Sequence, residues 1–121
     1  MHELSIAYSL VQTAAHAAQA AGIEQVQVVH LQLGALSGVV KEALLFSYDI
    51  AVEGTVSAGS RLEIETLPVV IHCATCGDVQ LPTIQRFRCP ICDVASADIR
   101  QGKELEIVSL EYEETPVGVL A

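Results

Sequence analysis

Four cysteines constrain this chain more than any other feature. They form two C-x-x-C pairs, Cys73-Ala74-Thr75-Cys76 and Cys89-Pro90-Ile91-Cys92, twelve residues apart. Each pair fits a turn that aims two thiolates at one point, and the loop between them lets both turns close a tetrahedral S4 cage. Soft thiolates in that geometry select Zn(II), with iron as the alternative. All four positions are filled by cysteine, so no coordination site stays open for catalysis and a structural ion is expected. A segment this short has almost no core, so the metal supplies its folding energy, about 10–16 kcal/mol in comparable peptides. Gly77 and Pro90 suit tight knuckle turns. Asp93 stands where a knuckle usually has glycine, and aspartate tolerates the left-handed conformation better than most residues. A Zn(Cys)4 centre carries a formal double negative charge, which Arg86 and Arg88 are placed to offset. His72 abuts Cys73; a solvent-facing neighbour is the simpler reading, and exchange for a thiolate the sharper one.

The cysteines also bear on compartment. The apolar stretch from Leu4 to Ala21 lacks a basic leader, because His2 and Glu3 stand where Lys or Arg belongs in a signal peptide. Gln12, His16 and Gln19 interrupt it too often for a membrane span. The expected compartment is therefore the cytosol, where four cysteines hold metal more readily than they form disulfides. The net charge is −9. That argues against nucleic acid, whose phosphates demand Lys and Arg, and leaves a basic protein surface as the sharper reading beside plain solubility. At 121 residues, 51% apolar and 4% aromatic, the chain has room for one domain plus a small module, with an aliphatic core.

Around the cysteines the pattern is mixed α+β. Leu4, Ala7, Leu10, Ala14, Ala17 and Ala21 recur at helical spacing until Gly22, predicting a first helix over 4–21. "VQVVHLQL" reads as a strand whose hydrophobic phase slips near Val28, through a bulge or cover on both faces. After the loop "GALSG", with Ser37 as an expected cap, residues 39–52 predict a second helix along a Val40, Leu44, Tyr48, Ala51 stripe. "RLEIETLP" alternates as a strand, with Leu62 and Ile64 inward and Arg61, Glu63 and Glu65 outward. "KELEIVSLEYEE" is a closing strand beyond the cysteines. The predicted order is helix, strand, helix, strand, an inserted cysteine module over 72–99, and a last strand. Four of the six basic residues, Arg86, Arg88, Arg100 and Lys103, lie in or beside the module. Residues 116–121 are expected to be a loose tail.

The opening Met1-His2-Glu3 offers a second ligand set. An α-amino group has an ordinary pKa of about 8. A metal anchored on it can displace the amide proton of His2, and the His2 imidazole then closes a second ring on the same ion. Amine, amide and imidazole in one plane favour Ni(II) or Cu(II), and the Glu3 amide or carboxylate completes the shell. Taken alone the triplet is weak, since a histidine near a chain end is usually solvated. His16 and His30 read as surface or core-edge residues.

Taken together, "MHELSIAYSLV", "LGALSGV", "EALLFSYDIAVEGT", "LEIETLP" and the two C-x-x-C pairs resemble the HypA/HybF family, the nickel metallochaperones of [NiFe]-hydrogenase maturation. The resemblance runs through nearly the whole chain. It implies an α/β nickel-binding domain at residues 1–71 and 100–115, two helices on a three-stranded sheet, with a zinc ribbon inserted at 72–99. By this carry-over Met1, His2 and Glu3 bind transferable Ni(II), while Cys73, Cys76, Cys89 and Cys92 hold structural Zn(II). It further implies a cytoplasmic, non-enzymatic protein working with a HypB-type GTPase and the hydrogenase large-subunit precursor, with urease a further destination and a homodimer compatible. Two other readings stand beside it. One is a zinc-ribbon protein adaptor without nickel; the other is a rubredoxin-like iron electron carrier, which leaves the M-H-E start without a purpose.

Overall fold

A computed structural model describes residues 3–113. Met1 and His2, and the expected tail at 116–121, lie outside the described residues. The first helix, α1 (Glu3–Ala21), buries Ala7, Leu10, Val11, Ala14 and Ala18 at i, i+3, i+4 spacing. Ala7, Leu10 and Ala14 of the expected stripe are in it, whereas Leu4, Ala17 and Ala21 are exposed and Ala18 takes the place of Ala17. It stops where expected. Gly22 takes φ +71°, the Ile23 N–H donates to the Ala18 carbonyl at 2.8 Å, and the Gly22 N–H donates to that of Gln19 at 3.2 Å. These two bonds form a Schellman cap, which needs the left-handed residue that glycine supplies without strain.

The strand β1 (Val28–Gly34) follows, and then the second helix, α2 (Lys41–Ala51). α2 packs against α1. Leu44, Tyr48 and Ala51 of the expected stripe are buried, together with Ser47. Two expectations fail at its start. Ser37 is not the cap: its Oγ accepts the Val39 N–H at 3.2 Å, one turn too early. The N-cap is Val40, extended at φ −84° and ψ 115°, whose side chain has no oxygen to offer. Standing outside the helix, Val40 is 55% exposed and leaves the buried stripe.

β1 lies centrally in a three-stranded sheet of order β2-β1-β6, with β2 (Arg61–Leu67) and β6 (Leu105–Glu111) at its flanks. Hydrogen bonds Arg61 N–H to Gln27 O and Ala35 N–H to Leu67 O advance together along β1 and β2, so these strands run parallel. Gly34 N–H to Glu104 O and Gln27 N–H to Glu111 O run oppositely, so β6 is antiparallel to β1. A parallel pair needs a crossover, and α2 provides it. Val28 and Val29 are both buried before strict alternation resumes at His30, which is the phase slip visible in the sequence. On β2, Leu62 is buried while Arg61, Glu63 and Glu65 face water.

Two contact-defined units divide the chain, and each strand of the first sheet contributes to both. One unit holds both helices, Val40–Glu63, the chain up to His30 and the stretch from Ile107. Its buried residues include Tyr48, 1% exposed, whose hydroxyl meets Ser60 Oγ at 2.6 Å. The other unit comprises Leu31–Val39 and Ile64–Glu106. It carries a second sheet of order β4-β3-β5, built from β3 (Val70–Cys73), β4 (Gly77–Gln80) and β5 (Ile99–Gln101), with β3 antiparallel to both neighbours. Its core is Val69, Ile71, Cys73, Val79, Leu81 and Cys89. Two of these six are cysteines, so the sulfur ligands are themselves part of a small core.

Candidate metal centres

The first cysteine pair sits on the β3–β4 hairpin. Cys73 ends β3 and pairs in register with Gly77, which opens β4, so Cys76 falls in the turn. The second pair rides a smaller hairpin closed by a lone bridge between Arg88 and Ala95. There the Cys89 N–H donates to Val94 O, and the Asp93 N–H to Cys89 O, both at 2.9 Å. The four Sγ atoms all lie within 4.8 Å of one another, and Cys73 and Cys92 approach to 3.4 Å. A tetrahedral Zn–S distance of about 2.3 Å sets the sulfurs about 3.8 Å apart. The cluster brackets that value, so the donor set fits a four-sulfur ion. Cys73 and Cys89 are buried, Cys76 is half-buried and Cys92 is exposed.

The thiols differ in acidity. Amide hydrogens of Cys76 and Thr75 aim at the Cys73 sulfur and bring it down to about 6. The Cys92 amide likewise lowers Cys89. Burial pushes Cys76 up to about 12, reinforced by the neighbouring sulfurs. At Cys92 the Val94 amide pulls downward, but the Cys73 sulfur and desolvation outweigh it, and the net shift is upward. Each knuckle thus offers one thiol that ionises easily and one that does so reluctantly. A divalent cation overcomes the second, because thiolate is the ligand form.

The surroundings correct one expectation and sharpen others. Arg86 and Arg88 do not serve the sulfurs directly. Both reach Asp93, Arg88 through Nε at 3.1 Å and Arg86 through a terminal nitrogen at 3.7 Å. Asp93 itself sits at φ +62°, in the left-handed conformation that the sequence predicts. His72 turns its ring away: Nδ1 meets Asp78 Oδ1 at 2.8 Å across the hairpin, and the four-ligand cluster does not include it. His16 is exposed on α1, and His30 pairs with Glu111.

Of the amino-terminal triplet, Glu3 is described. It is the first residue of α1 and is half-buried. Its Oε2 accepts the Val40 N–H at 3.4 Å. A carboxylate thus sits at the start of α2, where the helix dipole favours negative charge and the local cap is missing. Sequence reasoning missed this contact, because the Val40 side chain carries no polar signal. Among the described residues no helix is long and apolar enough to cross a membrane.

The chain is similar to known proteins along most of its length. Residues 1–112 match the family model described as hydrogenase/urease nickel incorporation, metallochaperone, hypA. The chain is 54% identical over 115 residues to the hydrogenase maturation factor HypA of Roseiflexus sp. (strain RS-1), covering 94% of each chain. It is 51% identical over 112 residues to the protein of the same name from Chloroflexus aurantiacus, covering 92% of this chain and 98% of that one. The solution structure of the Ni metallochaperone HypA from Helicobacter pylori shares the fold, with a TM-score of 0.68 at 24% identity over 92% of this chain and 97% of that one. The chain belongs to the HypA family of nickel-incorporation metallochaperones, the maturation factors of hydrogenase.

Proposed function

We propose that this protein binds Ni(II) through Met1, His2 and Glu3 and delivers it during maturation of [NiFe]-hydrogenase, with urease a second destination. It acts in the cytosol as a carrier rather than an enzyme, alongside a HypB-type GTPase and the hydrogenase large-subunit precursor. The match to the nickel-incorporation family from residue 1 to residue 112 is the observation that carries this reading. Zn(II) is the proposed resident ion of Cys73, Cys76, Cys89 and Cys92, supported by sulfur separations that fit a tetrahedral cage. When bound, it supplies the cross-link that a core of six buried residues lacks.

The two sites serve opposite needs. A closed sulfur cage retains its metal. Cargo must leave, so the nickel ligands stand at a chain end, are partly backbone and give up protons on binding. The position of Glu3 supports this division. Its carboxylate is engaged by Val40 at the start of α2, so its backbone amide is the group next in line after the Met1 amine and the His2 amide and ring. Metal analysis of untagged protein tests the scheme. One equivalent of zinc is expected as purified, and one of nickel after loading, with zinc unchanged. Nickel that displaces the zinc contradicts the two-site reading.

A further inference from the structure

α2 has a second apolar face. Its core face, Leu44, Ser47, Tyr48 and Ala51, is buried. Phe46 nevertheless stands 70% exposed and Ile50 42% exposed, one turn apart, with the half-buried Ala43 three residues before Phe46. Spacings of three and four place these residues in one row. Beside the row runs an acidic one. Glu42 and Asp49 are exposed seven residues apart on α2, Glu53 is exposed in the turn just past its Val52 cap, and the last turn carries no basic residue. Solvation alone calls for the acids but not for a phenylalanine in water.

We infer that the outer face of α2 is a docking surface for a partner protein whose contact segment carries an apolar row bordered by Lys or Arg. Charge decides the occupant. An acidic border repels an anionic lipid surface. A second copy of this chain, itself at net charge −9, is a poor match. Its four arginines are engaged internally, Arg61 with Glu63, Arg86 and Arg88 with Asp93, and Arg100 with Asp98, which leaves Lys41 and Lys103 as its exposed cations among the described residues. A heterologous basic, amphipathic segment satisfies both rows, with the aromatic anchor contributing most of the affinity and the charges setting approach and salt dependence. The surface shares no residue with either metal centre.

Photocross-linking tests the inference. A benzoylphenylalanine at position 46 of the full chain is irradiated in producing cells, and the attached peptide is sequenced. The expected product is a segment of another protein with apolar residues at helical spacing and flanking Lys or Arg. A synthetic copy of that segment binds the purified protein. Phe46→Ala weakens this binding at least tenfold. Glu42→Lys, Asp49→Lys and Glu53→Lys combined do the same and remove its salt dependence. Phe46 is mostly in water, so its replacement leaves the fold intact, which circular dichroism verifies. Cross-linking to a second copy, to lipid, to an acidic segment or to nothing overturns the inference.

Discussion

Gly34 lies against the backbone of Gly102 with no room for a side chain: a Cβ on Gly34 meets the Gly102 carbonyl oxygen at 2.1 Å and its carbonyl carbon at 2.2 Å. The Leu36 N–H donates to that same oxygen at 2.7 Å. Gly102, at φ +130°, is itself in a conformation that side chains avoid. The end of β1 and the turn before β6 are therefore joined backbone to backbone. Gly34→Ala must push the turn away, at a cost of about 1–3 kcal/mol or more. Chemical denaturation reads this as a lower midpoint. An unchanged midpoint contradicts the close approach.

The sulfur cage should behave as a cross-link. Removing its metal with a strong chelator, or Cys73→Ser, is expected to scatter the amide resonances of β3, β4 and β5. The far-ultraviolet signal of α1 and α2 should persist, because the buried faces of those helices contain no cysteine. Re-addition of zinc restores the resonances of the chelated wild type but not of the variant.

Proton release should reveal the uneven thiols. The Cys76 and Thr75 amides hold Cys73 at about 6 rather than the ordinary 9 only while the knuckle keeps its folded shape. Loading zinc at pH 8 is therefore expected to release at least one proton fewer than four from metal-free protein whose β3–β4 hairpin is intact, and close to four from protein whose hairpin has melted. The sign for retention follows. Cys76, at about 12, and Cys92, also raised, must shed protons for zinc throughout the neutral range. Cys73 joins them as pH falls through about 6, so zinc affinity falls with falling pH and falls more steeply below about 6. Indicator-dye titration measures the first and zinc release against pH the second. A full four-proton release from metal-free protein whose β3 and β4 amide resonances are intact contradicts the low value at Cys73.

Asp93 bears two loads: a left-handed backbone and the Arg88 ion pair. Asp93→Gly relieves the first and loses the second. Exposed pairs are worth about 0–1 kcal/mol, so near-neutral stability is expected. Asp93→Val keeps the strain and loses the pair, and is expected to cost about 1–2 kcal/mol. Thermal melts of the zinc-loaded variants rank them Gly above Val; equal values contradict the strained turn.

Much of this was legible in one sequence, and the reasons differ by element. Leu4, Ala7, Leu10, Ala14, Ala17 and Ala21 span several turns, so their period places α1 to within a residue of its start, although Ala18 rather than Ala17 is buried. The cysteine spacing specified the cage, because two short turns leave thiolates few other arrangements. The start of α2 is not legible in the sequence, since Ser37 looks like a cap and Val40 like core, while the Glu3 contact at Val40 is tertiary and leaves no local trace. Strands of three and four residues, such as β5 and β3, are too short to show alternation. The Gly34–Gly102 approach pairs positions far apart in the chain, and an isolated glycine does not announce its partner.

The central claim is that the first residues carry transferable nickel separately from the sulfur cage. It is tested most directly by calorimetric titration of Ni(II) into untagged, zinc-loaded protein and its His2→Ala variant. The wild type should take up one equivalent, more weakly as pH drops because amine, amide and imidazole must shed protons. The variant should lose that uptake and keep its zinc and its helical signal. Undiminished nickel uptake by His2→Ala, or nickel that binds only as zinc leaves the cysteines, contradicts the account.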